Sequence, residues 1–419
     1  MRNFPKQAVF LCGGLGTRLK PLTDQLPKPM VDVNGKPFLW HLLEQLSEKG
    51  INRFLLLTGY HGQTISDYFG GGDTWGWQVR YSHGPVEWDT GRRLWEAREL
   101  LDSEFLLAYS DNFVQIRLDY LVEAWEKNQA SIALHLAPKI NGNIRLRDDG
   151  LIGEYDPSRK APGLGFVEVG YMLGRKAEVL GFLERAEGFP DISFSKVLKA
   201  VASERKLAGI VIHDPYHSIG DLERLEKTRR YLESKKIILI DRDGTINRKA
   251  ARGEYIRSWD EFEFLAETTQ VMKDLAQLGY SFIVITNQAG VARKMVDPAE
   301  LETIHRNMVK SLKDDGVNIL EVYSCVDHWE TNSFRRKPNP GMFYEASRDH
   351  YIRLDKTLYI GDDIRDFAAS FNANCRMCIL LNNGHLGKEA ISHEKCLVIG
   401  NDFLRLKDII QEIYSDWLD

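Results

Sequence analysis

Short apolar runs punctuate the chain, and most end at a hydroxyl, a glycine or a carboxylate. They cover residues 8–12, 54–58, 105–109, 237–240, 281–286, 357–360 and 377–381. Apolar runs this short, bounded by turn residues, read as buried strands. Between them lie amphipathic stretches. Residues 38–49 repeat apolar positions at helical spacing and stop at Gly50; residues 221–233 and 268–278 also read as helices. Strands alternating with helices predict open parallel sheets covered on both faces, with ligands at the carboxyl edges of the strands. The helix over 221–233 gives way at once to Ser234-Lys235-Lys236, and a new strand follows. The pattern therefore predicts an α/β protein of two Rossmann-like parallel-sheet domains in tandem, residues 1–235 and 236–419.

Composition narrows the function. Of 419 residues, 43% are apolar and 27% charged, with a net charge of −5 and a pI near 6.2. That balance fits a soluble globular enzyme and gives no electrostatic footprint for nucleic acid or an anionic membrane. No apolar run approaches the ~18 residues of a spanning helix, and residues 1–7 do not read as a signal peptide. Five scattered cysteines, Cys12, Cys325, Cys375, Cys378 and Cys396, predict reduced thiols and a cytoplasmic home. Cys375 and Cys378 have CxxC spacing, but without a second pair they read as small apolar residues leading into a strand.

The chemistry concentrates where strands end. Residues 237–240 run into Asp241-Arg242-Asp243-Gly244. A bare Asp-x-Asp is commonly a strand followed by a polar turn. Three later stretches change that reading: Thr286-Asn287-Gln288 after a strand, the basic cluster Arg335-Arg336-Lys337-Pro338, and Gly361-Asp362-Asp363 after another strand. In this order the four stretches resemble the motifs of the haloacid-dehalogenase phosphatase superfamily, over residues 236–419. The resemblance implies Asp241 as nucleophile and Asp243 as general acid and then base. It implies Thr286, Asn287 and Lys337 on the phosphoryl oxygens, and Mg²⁺ on Asp241, Asp243 and Asp362. Only about 40 residues separate Thr245 from Thr286 and much of that is helix, so a large cap is not expected. Residues 286–293 and 336–342 are more similar to the D-glycero-D-manno-heptose 1,7-bisphosphate 7-phosphatases, which implies that Arg336 binds the far end of the substrate. That subgroup carries a zinc loop before Arg-Lys-Pro. Here the loop offers only Cys325 and His328, too few for a tetrahedral structural site, so zinc is not expected.

The first half opens with strand 8–12 and the loop Gly13-Gly14-Leu15-Gly16-Thr17-Arg18-Leu19. Such a loop brings backbone N–H groups close to phosphates. It fails the dinucleotide fingerprint, because Leu19 stands where a third spaced glycine is needed, and it lacks the Gly-Lys-Ser/Thr of the phosphate loop. Together with Lys28-Pro29-Met30, it resembles the sugar-1-phosphate nucleotidyltransferases over residues 8–230. The resemblance implies phosphate binding by Gly13, Gly14, Gly16 and Thr17, and catalysis by Arg18 and Lys28. It implies Mg²⁺ on Asp111 and Asp221, and sugar or nucleotide contacts at Gly91, Lys160, Glu168 and Gly170. Ser110 and Glu168 depart from the residues usual there. Both halves need cations for the same reason: anionic reactants repel until neutralised.

Three functions compete. The first is a bifunctional enzyme that removes the 7-phosphate of a heptose bisphosphate and couples the remaining sugar 1-phosphate to a nucleoside triphosphate, GTP favoured. The second keeps both chemistries on another sugar, with CTP or another triphosphate. In the third, one half is a catalytically dead binding module. In each case the partners are small molecules, NTP and sugar phosphates, with homo-oligomerisation left open.

Overall fold

The computed structural model describes residues 4–381, 393–400 and 404–418. The chain divides into two compact units, Met1–Arg230 and Tyr231–Asp419. Among the described residues, no helix is long and apolar enough to cross a membrane.

The first unit is built on a nine-stranded sheet. Its strands are β1 (Gln7–Cys12), β2 (Arg53–Thr58), β3 (Gln78–His83), β4 (Glu104–Tyr109), β5 (Ile132–Pro138), β6 (Ile144–Leu146), β7 (Ile152–Tyr155), β8 (Phe166–Arg175) and β9 (Leu207–Val211). The parallel core is β4-β1-β2-β3. It is buried on both faces, as its unbroken apolar runs require: Val9, Phe10, Leu55, Leu56 and Leu106 are all fully enclosed. The sheet is not parallel throughout. β8 runs antiparallel to both β4 and β5. Between β5 and β8 the chain has no crossover helix, only the β6–β7 hairpin, and a parallel neighbour needs a longer crossover.

The second unit is a six-stranded parallel sheet: β10 (Ile237–Ile240), β11 (Ser281–Asn287), β12 (Ile319–Cys325), β13 (Leu358–Gly361), β14 (Met377–Leu381) and β15 (Cys396–Ile399). The spatial order is β12-β11-β10-β13-β14-β15. Alternation along β10 splits its side chains between two cores. Ile238 and Ile240 pack with Phe282, Val284 and Ile360; Ile237 and Leu239 pack with Ile283, Phe343 and Leu380. The central strands β10, β11 and β13 all point their carboxyl ends to one edge, which gathers residues 241, 286 and 362 there. No cap domain intervenes: residues 244–265 form an irregular segment with one short turn, Trp259–Glu261, before the helix Ala266–Gln277.

Candidate active sites

In the first unit the glycine loop is folded by what it must approach. A side chain at Gly13 would land on the Arg93 guanidinium. Gly16 has a left-handed backbone, φ 61°, and a Cβ there would come 2.8 Å from Lys28 Cβ. Thr23 Oγ1 donates to Gly16 O at 2.9 Å, and Thr17–Leu19 close a 3₁₀ turn. Loop and Lys28 are thus drawn together, and Lys28 Nζ lies 2.8 Å from Asp111 Oδ2.

Asp111 follows β4. The chain then forms a two-residue strand, Asn112–Phe113, which pairs antiparallel with His217–Ser218, and Ile219 N donates to Asp111 O at 3.1 Å. This ribbon sets Ile219 against Asp111, so that Asp221, 110 positions on in sequence, follows two residues after the contact. A cavity of about 490 Å³ opens beside it, lined by Gly13, Gly14, Gly16, Thr17, Arg18, Lys28, Trp88, Tyr109, Asp111 and Gly220. Asp221 itself caps the following helix: its Oδ1 accepts from Arg224 N at 2.9 Å, and its Oδ2 lies 3.3 Å from Arg224 Nε.

Four expected contacts fall outside the cavity wall. Gly91 is buried, its N–H donates to Ile192 O at 2.8 Å, and a Cβ would strike that carbonyl; packing explains the glycine. Glu168 accepts from Asn143 Nδ2 at 2.9 Å and from Tyr155 OH at 2.8 Å. Gly170, φ 86°, makes room for the Tyr109 ring, which does line the cavity. Lys160 is exposed on a loop whose turn is held by Asp156.

Sequence reasoning missed Arg93. Its buried guanidinium donates to Thr58 O at 2.7 Å and Pro85 O at 2.6 Å, fastening the end of β2 and the 84–86 loop against Gly13. Nothing in the pattern separates it from its neighbour Arg92. Burial pushes the Tyr109 hydroxyl pKa up, with Glu168 and Asp111 adding to it, so this ring faces the cavity as a neutral donor.

In the second unit Lys337 is the hub. Its Nζ lies 2.8 Å from Asp241 Oδ1 and 2.7 Å from Asp366 Oδ1, and it donates to Ile285 O at 2.9 Å and Tyr359 OH at 2.8 Å. Burial alone would lower the lysine pKa. Asp241 and Asp366 more than reverse that, and it ends above its ordinary value. Asn287 clamps the same residue by its main chain, donating to Lys337 O at 3.0 Å and accepting from Lys337 N at 3.1 Å. Thr286 is buried and its Oγ1 accepts from Gln288 Nε2 at 2.8 Å. Burial raises Asp241 to about 7, opposed by Lys337 and reinforced by Asp366 and Asp362.

Among the described residues one group of three metal-ligand types lies close enough for a cation: Asp241, Asp362 and Asp366, with oxygens within 4.8 Å of one another. Asp366 was not foreseen and Asp243 was expected in its stead. The hydrogen bonds separate their duties. Asp366 Oδ2 accepts from the N–H groups of Asp362 and Asp363, closing a capping box on the helix Ile364–Asn372, while Oδ1 takes Lys337 and Tyr359. Its lone pairs are spent on positioning. The Asp243 carboxylate is outside the group, taken by Arg242, Asn247 and Gln288. Burial pushes its pKa up, but those donors, Arg242 foremost, bring it below the ordinary range. Asp362 is different. Its Oδ1 is buried without a hydrogen-bond partner, and its Oδ2 lies 2.7 Å from Lys249 Nζ. A side chain on Gly244, φ 87°, would collide with this carboxylate. Asp241 and Asp362 are therefore the donors fitted to a hard, oxygen-seeking cation such as Mg²⁺.

Arg336 is half-buried. Its Nη1 donates to Asp327 O at 3.3 Å, and among the described residues no carboxylate pairs with it. The two thin zinc candidates are otherwise engaged: Cys325 Sγ donates to Asp327 Oδ2 at 3.6 Å, and His328 Nδ1 accepts from Glu330 N at 3.3 Å.

Known proteins resemble the two units separately. Residues 7–143 match the Nucleotidyl transferase family model, and residues 236–381 match Polynucleotide kinase 3 phosphatase. The D-glycero-beta-D-manno-heptose-1,7-bisphosphate 7-phosphatase of Salmonella typhi is 34% identical over 159 residues, 36% of this chain and 83% of that protein. The Helicobacter pylori protein of the same name is 32% identical over 181 residues, 43% of this chain and 100% of that one. A Bacillus subtilis protein named "Probable glucose-1-phosphate cytidylyltransferase" is 29% identical over 192 residues, 40% of this chain and 74% of that protein.

Proposed function

Because this chain joins a nucleotidyl transferase domain to a domain of the heptose-bisphosphate 7-phosphatase family, we infer that the two act in series on one sugar. The second unit removes the 7-phosphate of D-glycero-D-manno-heptose 1,7-bisphosphate. The first couples the heptose 1-phosphate to GTP with release of pyrophosphate.

The observation that carries this reading is the pair Arg336-Lys337. Lys337 is committed to Asp241 inside the site, whereas the adjacent Arg336 holds a guanidinium without a carboxylate. A substrate with one phosphoryl group at Asp241 and a second anionic group beyond it satisfies both. Asp241 attacks phosphorus and forms an aspartyl phosphate, Lys337 and Thr286 steady the phosphoryl oxygens, and Asp243, ionised in the free protein, takes up a proton as the anionic substrate arrives beside it and passes that proton to the leaving alkoxide. Asp243 then takes a proton from the water that frees Asp241. Mg²⁺ on Asp241 and Asp362 supplies charge neutralisation to the transferring group. In the first unit the Gly13–Thr17 amides and Arg18 hold the triphosphate, and Lys28, released from Asp111, meets the reacting phosphates. Mg²⁺, not zinc, is the proposed ion in both sites; about one tightly bound zinc per chain by elemental analysis would overturn this.

A second reading keeps both steps and uses CTP, supported by the Bacillus subtilis relative's name and by the Asp89-Thr90-Gly91 and Tyr109-Ser110-Asp111 stretches. Incubation of heptose 1,7-bisphosphate and Mg²⁺ with each of the four triphosphates tests both. Phosphate, pyrophosphate and a nucleotide sugar are expected with GTP. Phosphate without nucleotide sugar from any triphosphate would break the link between the domains.

A further inference from the structure

Between the two carboxylates of the phosphatase motif stands Arg242, a fully buried side chain. Its fork grips the neighbour: Nε donates to Asp243 Oδ1 at 3.1 Å, and Nη2 lies 2.8 Å from both Asp243 oxygens. Nη2 also reaches Gln288 Oε1 at 3.1 Å. The remaining nitrogen, Nη1, lies 3.0 Å from His305 Nε2 on the helix Pro298–Asp314. A guanidinium has donors only. His305 Nε2 must therefore be the acceptor, which places the ring proton on Nδ1. Burial, and Arg242 itself, hold the His305 pKa down at about 3, so the ring stays neutral and keeps accepting. His305 also lines a groove of about 1110 Å³ beside β12.

We propose that His305 is a positioning residue for the phosphatase reaction: by accepting from Arg242 Nη1 it fixes the guanidinium fork, and the fork aims the Asp243 carboxylate that exchanges protons with the leaving alcohol and with water. The proposal rests on the phosphatase reading above. Deprived of this acceptor, Nη1 becomes a buried unpaired donor, and the guanidinium turns to find an oxygen elsewhere. The fork then leaves the carboxylate, and proton transfer loses its geometry while Asp241 and Lys337 keep theirs.

Leaving-group dependence reads this directly. An alkoxide needs the proton from Asp243; p-nitrophenolate does not. With Mg²⁺ and the full chain, His305→Leu should lower kcat/KM for glycerol 2-phosphate about 10-fold and for p-nitrophenyl phosphate less than about 2-fold. His305→Gln, which keeps an acceptor, should restore most of the loss. His305→Lys, which sets a donor against a donor, should repeat the selective loss and serves where the leucine variant does not fold. Equal losses on the two esters, or a glutamine variant as poor as the leucine one, would overturn the proposal and leave the phosphatase reading standing. A wild-type protein that releases phosphate neither from these esters nor from heptose 1,7-bisphosphate would sink the reading itself.

Discussion

The two carboxylate sites solve the same problem in opposite surroundings. In the transferase domain, Asp111 and Asp221 side chains are 36% and 43% exposed, and each has a private cation, Lys28 and Arg224. In the phosphatase domain Asp241, Asp362 and Asp366 are 11%, 1% and 2% exposed; Asp241 and Asp366 crowd around Lys337, and Asp362 meets Lys249. Water screens the first pair, so that site is tolerant of charge before its polyphosphate arrives. The second site has little water to screen it, and its charges are held by a fixed lysine, by helix N–H groups and by glycines that leave room for carboxylates. Damage to the first site should therefore be read in activity, and damage to the second in both activity and stability.

The largest effect tests whether the sites are separate. Asp241→Asn removes the proposed nucleophile and should cut phosphate release by about 10³-fold or more. Pyrophosphate release should stay within about twofold, since each domain has its own set of charges. Asp111→Asn should do the reverse. Loss of both activities from either change, in a folded protein, would erase the distinction. Next in size is Arg336→Ala. A charge-assisted pair is worth ~1.5–3 kcal/mol, which is roughly 10- to 100-fold in kcat/KM for the bisphosphate. A simple monophosphate ester should be nearly unaffected, and equal losses would remove the argument for a second anionic group.

A third comparison pits Asp366 against Asp221. Asp366→Ala leaves Lys337 partly unpaired in the interior and should cost about 3 kcal/mol. Asp221→Ala removes an exposed pair and a cap and should cost about 1 kcal/mol. Hydrogen exchange of the strands β10 and β1, respectively, measures each domain against its own unfolding. Equal costs would mean that burial is not what distinguishes the sites.

Strand ends were legible because burial on both faces forces continuous apolar runs, and function sits where those runs stop. That is how Asp241, Thr286, Asp111 and the Gly13–Thr17 loop could be placed on strand edges from pattern alone. The antiparallel course of β8 was not legible, since its apolar run looks the same in either direction; only the missing crossover helix between residues 138 and 166 bore on it. Asp366 carried a readable signal, an acidic residue three positions after the cap Asp363, but a capping box reports helix geometry and not its use in holding Lys337. Gly91 misled because a glycine excluded by a carbonyl and a glycine that admits a ligand look alike in sequence. Arg93 and Arg242 act through buried guanidinium donors, and His305 through a ring nitrogen that accepts from one of them; periodicity does not record which arginine turns inward.

The smallest effect concerns pH and works through Asp241 alone. Burial raises its folded-state pKa to about 7, while an unfolded aspartate titrates at its ordinary value of 3.8. Below the lower value the group is protonated in both states. Between the two, the folded protein binds the extra proton, so stability is fully present at low pH and is lost as pH rises through the folded pKa. Each unit of that interval is worth at most ~1.4 kcal/mol, shared with Lys337, or a few degrees of Tm. Asparagine cannot ionise. In chelator, the melting temperature of Asp241→Asn minus that of the wild type should therefore grow from pH 5 to pH 7 and level off above it. Added Mg²⁺ binds the carboxylate form and should shrink the gap, because a ligand that binds only the folded state stabilises it. A flat line for Asp241→Asn would mean that its carboxylate is not strained by burial, and the contrast between the two sites would fail at its source.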